Sequence, residues 1–205
     1  MNSMCNKGFL IVISGPSGAG KGTVCKELMK RYNYNISVSA TTRSPREGEV
    51  NGVNYHFLDK KDFEEKLSNN EFLEYAQVYG NYYGTFKKTV EDELLKGNNM
   101  ILEIDIQGTL QVQKVYKNAI YIFLLPPSIK ELKNRILKRG SETEYSFNLR
   151  FSSVSEELKY MSSYDYAVIN DDLDNAVDKV HSIINTEMNK ISRMNLDKFR
   201  EEYIF

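Results

Sequence analysis

The stretch Gly15-Pro-Ser-Gly-Ala-Gly-Lys-Gly-Thr23 decides the fold of this chain. It comes directly after the apolar run Phe9–Ile13 and directly before the helical pattern Val24–Tyr32. A glycine-rich turn between a buried strand and a helix is typical of a phosphate loop, because backbone N–H groups and the helix amino end attract anionic oxygens. Lys21 adds a full positive charge. The stretch therefore predicts a site for the triphosphate of ATP.

The residue after Lys21 departs from the usual pattern, in which Ser or Thr follows the lysine directly. Here Gly22 intervenes and Thr23 comes next, a variant that is familiar among nucleoside monophosphate kinases. Thr23 is a candidate magnesium ligand. A glycine-rich turn without a ligand is the alternative, and the lysine and the flanking elements disfavour it. The ATP contacts are predicted at Gly15, Pro16, Ser17, Gly18, Ala19, Gly20, Lys21, Gly22 and Thr23.

The rest of the core is predicted from apolar runs that alternate with helical patterns. Nearly continuous apolar strands indicate a sheet covered on both faces, and the alternation favours a parallel α/β core flanked by helices. Ser128 followed three residues later by Glu131 predicts a helix start. The predicted core strands are Phe9–Ile13, Met100–Ile104, Ile120–Leu125 and Tyr166–Ile169.

Two segments depart from this alternation. Residues 37–88 are rich in turns and tyrosines, with strand-like pieces at Ile36–Thr41, Tyr55–Leu58 and Glu74–Val78, and we interpret them as an inserted, mostly β subdomain. Residues 140–161 are interpreted as a helical lid, with a fixed surface helix as the alternative. Residues 1–205 then form one domain whose core is 1–36, 89–139 and 162–205.

Glu103 and Asp105 stand at the end of the second core strand. Residues two apart on a strand face the same side, so both carboxylates can reach one site. An acid at the end of a buried strand commonly organises Mg²⁺ beside a phosphate loop. Two solvated strand-end acids are the alternative.

Composition excludes several function classes. The 205 residues carry 27 Lys plus Arg and 28 Asp plus Glu, a net charge of -1, which argues against nucleic acid and membrane surfaces as partners. Two cysteines and two isolated histidines predict neither a disulfide framework nor a zinc site. We expect a cytoplasmic protein, either a monomer or a homodimer.

Seven further motifs, in order, resemble those of the guanylate kinases. The resemblance runs from about Phe9 to Ile184. The motifs are Ser37-Val-Ser-Ala-Thr-Thr-Arg-Ser-Pro-Arg46, Gly48-Glu-Val-Asn-Gly-Val-Asn-Tyr-His-Phe57, Asn70-Glu-Phe-Leu-Glu74, Gly80-Asn-Tyr-Tyr-Gly-Thr85, Ile101-Leu-Glu-Ile-Asp-Ile-Gln-Gly108, Arg139-Gly-Ser-Glu-Thr-Glu144 and Val168-Ile-Asn-Asp-Asp172.

The resemblance implies a set of contacts to GMP. Arg43, Arg46, Tyr55 and Tyr83 would hold its phosphate, whereas Ser39, Glu74, Thr85 and Glu103 would read its base, with Asp105 beside them. A carboxylate can accept from N1–H and N2–H of guanine, and adenine has no N1 donor. Thr85 stands where the family often has Ser, and Glu103 where it often has Asp.

The resemblance also implies the reaction, in which ATP phosphorylates GMP with Mg²⁺. Lys21, Arg43 and Asp105 are expected at the transferring phosphoryl group. Arg135, Arg139 and Arg150 would close over it, and Asn170 would approach the ATP base. Tyr145-Ser-Phe147 breaks the acidic lid sequence usual in the family. The alternatives are a non-catalytic guanylate-kinase-like binding module and a phosphate-loop kinase for another phosphorylated acceptor.

Overall fold

The computed structural model describes residues 8–78, 80–138, 154–194 and 196–203. The described strands are β1 (Leu10–Ser14), β2 (Asn35–Ile36), β3 (Ala40–Thr41), β4 (His56–Phe57), β5 (Phe72–Val78), β6 (Asn81–Phe86), β7 (Met100–Glu103), β8 (Ile120–Leu125) and β9 (Tyr166–Ile169). The described helices include α1 (Lys21–Tyr32), α2 (Lys60–Ser68), α3 (Lys87–Leu95), α4 (Ile106–Val115), α5 (Ile129–Lys138), α6 (Leu173–Met188) and α7 (Leu196–Tyr203).

The core is a parallel sheet with strand order β2-β7-β1-β8-β9. Strand β1 is buried along its whole length, and its side chains alternate between two apolar clusters. Ile11 and Ile13 pack with α1 and α6, whereas Leu10 and Val12 pack with α3 and α4. The predicted α/β core with helices on both faces is therefore confirmed, and the four predicted core strands match within one residue at each end.

A second sheet, with strand order β4-β3-β6-β5, is inserted between β2 and α3. Phe63 of α2 is fully buried against it and stacks on Phe72, with ring centroids 4.4 Å apart. The inserted part is therefore mostly β, as predicted, and its sheet is separate from the core sheet.

The prediction of one strand over Ile36–Thr41 is wrong. Residues 37–39 carry the chain from one sheet to the other, because Ser37 donates its N–H to the Ile101 carbonyl of the core sheet at 2.9 Å. The Ser39 carbonyl accepts from the His56 N–H of the inserted sheet at 2.9 Å. The stretch therefore forms two short strands, β2 and β3, in different sheets.

The carboxylate of Glu187, near the end of α6, is buried and fixes the chain that follows. It pairs with Arg193 at 2.6 Å and with Lys190, and it accepts a hydrogen bond from Tyr166 of β9. Through these contacts the turn after α6 is held against the core. No helix in the described part of the chain is long and apolar enough to cross a membrane.

Candidate active site

The predicted phosphate loop lies between the central strand β1 and helix α1. Gly20 has φ of 93°, a left-handed conformation that favours glycine, and Lys21 then begins the helix. The Lys21 ammonium donates to the carbonyls of Gly15 at 2.5 Å and Pro16 at 3.2 Å, so it lies across the loop. The loop therefore has the geometry that the sequence predicts, with a cation at its centre.

Asn170 follows β9 and joins three elements beneath the loop. Its backbone N–H donates to the Leu125 carbonyl of β8 at 2.7 Å, and its side-chain amide donates to the Ala19 carbonyl of the loop at 2.8 Å. Its own carbonyl accepts from Arg135 of α5 at 3.0 Å. Asn170 is only 6% exposed. In this position the residue supports the loop and orients Arg135.

Helix α5 begins as its sequence predicts. Ser128 accepts at its hydroxyl from the Glu131 N–H at 3.1 Å, and Glu131 in turn pairs with Arg135 at 3.0 Å. The Arg135 guanidinium is thus fixed both by its own helix and by Asn170. The other two arginines predicted to close over the phosphates, Arg139 and Arg150, lie outside the described residues, as do residues 140–153 of the predicted lid.

The two predicted acids lie beside the loop. A Cβ on Gly22 would lie 3.2 and 3.4 Å from the carboxylate oxygens of Glu103, so glycine after the lysine leaves room for this carboxylate. Asp105 accepts from the Gly108 N–H at 2.8 Å and caps helix α4. Burial raises the pKa of Asp105, whereas its hydrogen bond to Gly108 and the charge of Lys21 oppose that rise.

A cleft of about 610 Å³ opens over the loop and both acids. Its far wall contains Glu156, Glu157 and Tyr160, which we did not predict from sequence. They lie within the predicted lid, 140–161, and helical spacing in that segment was their only signal. A larger groove of about 1050 Å³ lies between the start of β1 and the turn after α6, and it contains no predicted site residue.

A second, smaller cleft of about 180 Å³ brings together most of the residues predicted to bind GMP. Lys21, Glu103 and Asp105 line both clefts, so the two are continuous. Arg43, Arg46 and Thr85 do not line the smaller cleft; Arg46 is exposed and Thr85 is fully buried. The predicted residues that line it are Ser39, Tyr55, Glu74, Tyr83, Glu103 and Asp105.

Glu74 is the most deeply placed carboxylate of this cleft, with 4% exposure. Burial raises its pKa to about 7, although the hydrogen bond from the Thr85 hydroxyl, at 2.6 Å, acts in the opposite direction. The charge of Asp105 raises the pKa further. Thr85 therefore orients the carboxylate from behind.

Arg43 is held by a partner that we did not predict. Its two terminal nitrogens donate to the two carboxylate oxygens of Glu49 at 2.9 and 3.0 Å. Its guanidinium carbon lies 5.4 Å from the centre of the Tyr55 ring. The hydrogen bonds with Arg43 lower the pKa of Glu49. Glu49 thus fixes a planar cation at the rim of the cleft, and its opposite charge near Arg43 in sequence was the available signal.

The arrangement suits phosphoryl transfer between two anionic molecules. Lys21 lies where the cleft over the loop meets the smaller cleft. Arg135 approaches from α5, and Arg43 approaches from the inserted part of the chain. In the described residues, His, Cys, Asp and Glu form no group of three or more that could hold a metal ion.

A phosphate loop whose cleft continues into a second cleft, lined by an inserted sheet, is the arrangement of a nucleoside monophosphate kinase. A family model described as guanylate kinase matches residues 7–187. The chain belongs to the guanylate kinase family.

Individual relatives agree with this assignment over nearly the whole chain. The guanylate kinase of Clostridium tetani is 59% identical over 188 residues, which cover 92% of this chain and 90% of that protein. That of Clostridioides difficile is 51% identical over 200 residues, covering 96% and 98%. The crystal structure of guanylate kinase from Anaplasma phagocytophilum is 32% identical, with a TM-score of 0.80 and coverage of 98% of both chains.

Proposed function

We propose that this protein transfers the γ-phosphoryl group of ATP to GMP, giving ADP and GDP. The observation that carries the proposal is the buried Glu74 carboxylate in a cleft that continues to Lys21. Ionising a buried carboxylate is costly, and a ligand with two adjacent donors would offset that cost. Guanine has such a pair of donors in N1–H and N2–H.

The remaining contacts to GMP follow from the same cleft. Ser39 and Glu103 line it and complete the polar surface for the base, with Thr85 acting through Glu74. Tyr55 and Tyr83 contribute hydroxyls toward the phosphate, and Arg43 and Arg46 contribute charge from the rim. A forked guanidinium matches the geometry of a phosphate dianion.

ATP would bind the phosphate loop with Mg²⁺. The residues present suit this ion, because Glu103 and Asp105 offer carboxylate oxygens in the cleft over the loop, and Mg²⁺ prefers few protein ligands together with phosphates and water. Thr23 does not line that cleft and is proposed as a ligand from the sequence pattern. When bound, Mg²⁺ neutralises charge on the β- and γ-phosphates. Thr23 is exposed in the first turn of α1, which leaves its hydroxyl accessible.

The chemistry requires positioning and charge neutralisation more than proton transfer. An oxygen of the GMP phosphate attacks the γ-phosphorus in line, and the bond between that phosphorus and the bridging oxygen of ADP breaks. The nucleophile is already ionised near neutral pH, so no general base is needed. Lys21 and Arg135, with Arg43 at the acceptor side, would stabilise the transferring group. The resemblance to the family adds Arg139 and Arg150 to the residues that we propose to stabilise the transferring group.

A coupled assay of ADP formation with GMP, AMP, CMP and UMP tests the proposal. We expect GMP to be preferred by at least about two orders of magnitude, since a site built around hydrogen bonds rejects analogues that leave its polar groups unpaired. Equal turnover of AMP would refute guanine selectivity. If the protein turned over no substrate and calorimetry detected no binding of ATP, a non-catalytic binding module would be favoured.

Beyond the site residues and Mg²⁺, three further sequence predictions remain predictions. They are the division of the chain into a core, a GMP-binding insert (37–88) and a lid (140–161), the cytoplasmic location, and the monomeric or homodimeric state. Size-exclusion chromatography with light scattering would decide the last of these.

A further inference from the structure

Gly108, in the first turns of α4, lies against the carboxylate of Glu74. A Cβ built on Gly108 would stand 2.9 Å from Glu74 Cδ and closer still to Oε2. Real Cβ atoms essentially never approach a neighbour so closely, so any other residue at this position would force the carboxylate to move. The hydrogen atom of glycine is therefore what allows helix and carboxylate to meet.

The carboxylate has little freedom to move aside. It is buried, and its Oε1 is held by the Thr85 hydroxyl at 2.6 Å. The backbone next to it is held as well, because the Gln111 side chain of α4 donates to the Tyr75 carbonyl at 2.5 Å and accepts from the Tyr75 N–H at 3.2 Å. Strand β5 and helix α4 are thus tied together beside the contact, and neither can retreat without breaking these bonds.

Helix propensity argues against glycine at this position. Glycine inside a helix is less favourable than alanine, because it loses more backbone freedom on folding. Gly108 lies within α4 and its N–H donates to Asp105, the N-cap residue. Its helical setting therefore gives no reason to prefer glycine, whereas the proximity of Glu74 does.

We propose that Gly108 is a positioning residue for guanine recognition, which acts by giving the Glu74 carboxylate room to face N1–H and N2–H of the base. The inference rests on the proposed function, since it assumes that Glu74 reads guanine. It adds that selectivity for the acceptor depends on a residue of the core helix α4 that makes no side-chain contact with any substrate.

The test is a double-mutant cycle between Gly108→Ala and Glu74→Asp, with the exposed Lys114→Ala on the same helix as control. KM for GMP, KM for ATP and the preference for GMP over IMP, which lacks the 2-amino group, are measured for each variant. Gly108→Ala should raise KM for GMP at least tenfold and reduce the preference for GMP over IMP. KM for ATP should stay within twofold.

The cycle also separates a steric role from a general structural one. Asp is one methylene shorter than Glu, so in the Glu74→Asp background the alanine has space and should cause little additional loss. The same loss from Gly108→Ala in the wild-type and the Glu74→Asp backgrounds would overturn the inference, as would unchanged GMP kinetics in the single variant.

Folding failure also gives an answer. If Gly108→Ala unfolds while the double variant folds, as judged by circular dichroism and thermal melting, the steric relation is supported; equal failure of both would overturn it. Failure of the unaltered protein to phosphorylate GMP would instead refute the proposed function, so the two outcomes are distinguishable.

Discussion

The Thr85 hydroxyl donates a hydrogen bond to Glu74 Oε1 at 2.6 Å, across the paired strands β5 and β6. Both side chains are buried, so this bond orients the carboxylate without giving it a counter-charge. The hydrogen bond stabilises the ionised form, but desolvation outweighs it and the pKa of Glu74 rises to about 7. The group that we propose to read guanine is therefore partly protonated at neutral pH when the cleft is empty.

Binding of the base should release protons near neutral pH. Only the ionised carboxylate accepts from both N1–H and N2–H, so ligand binding lowers the pKa of Glu74. The affinity for guanosine, which lacks the titrating phosphate of GMP, should rise with pH up to a little above 7.

Calorimetry of guanosine binding at pH 6.5, in buffers of different ionisation enthalpy, measures the proton release. Glu74→Gln should bind more weakly and show no release. Release of the same size in both proteins would contradict the assignment to Glu74.

The same group should make the ligand-free protein less stable as pH rises. The unfolded carboxyl titrates near 4.5 and the folded one near 7, so between these values the folded state binds more protons and the free energy of unfolding falls with increasing pH. The full effect is on the order of 3 kcal/mol. Urea unfolding at pH 5 and pH 8 should show this loss in the wild type and a smaller one in Glu74→Gln.

Lys21→Met should lower kcat by at least about a hundredfold, because the ammonium stabilises negative charge that develops on the phosphates. The change should leave the fold intact, since Lys21 contacts loop carbonyls rather than the apolar core. Lys26→Met, an exposed position on the same helix, is the control and should retain normal turnover. Comparable kcat in both variants, with matched circular dichroism, would remove Lys21 from the mechanism.

Asn170→Ala should reduce kcat/KM about tenfold through loss of the buried hydrogen bond to the Ala19 carbonyl. Because the amide supports the loop rather than the base, the reduction should be equal for ATP and for purine riboside triphosphate, which lacks the 6-amino group. A reduction confined to ATP would instead favour the base contact that family resemblance implies. Asn175→Ala, at an exposed position, should leave kcat/KM unchanged for both triphosphates.

Prediction from sequence succeeded where the signal was local. The strand, glycine loop and helix around Lys21 follow from adjacent residues, and continuous apolar runs predicted the core strands because both faces of the sheet are covered. The short strands β2 and β3 have two residues each, too few for an alternating pattern, so their separation into two sheets was missed.

The missed site residues share a different cause. The Arg43 and Glu49 pair is close in sequence, but its two-pronged geometry depends on the turn between them. The approach of Gly108 to Glu74 joins a core helix to the inserted sheet, and no periodicity reports a contact between elements so far apart.

Cys25 lies on the inner face of α1, one turn after Lys21, and is 2% exposed. Burial raises the pKa of its thiol and so keeps it in the unreactive protonated form. A thiol reagent can therefore modify it only during moments when α1 detaches from the sheet. A nucleotide bound at the amino end of α1 would make such openings rarer, by about a hundredfold at a concentration of 100 Kd. In a Cys5→Ser background, the rate at which this thiol is labelled therefore reports how much of the phosphate loop is occupied by nucleotide, and it does so without turnover.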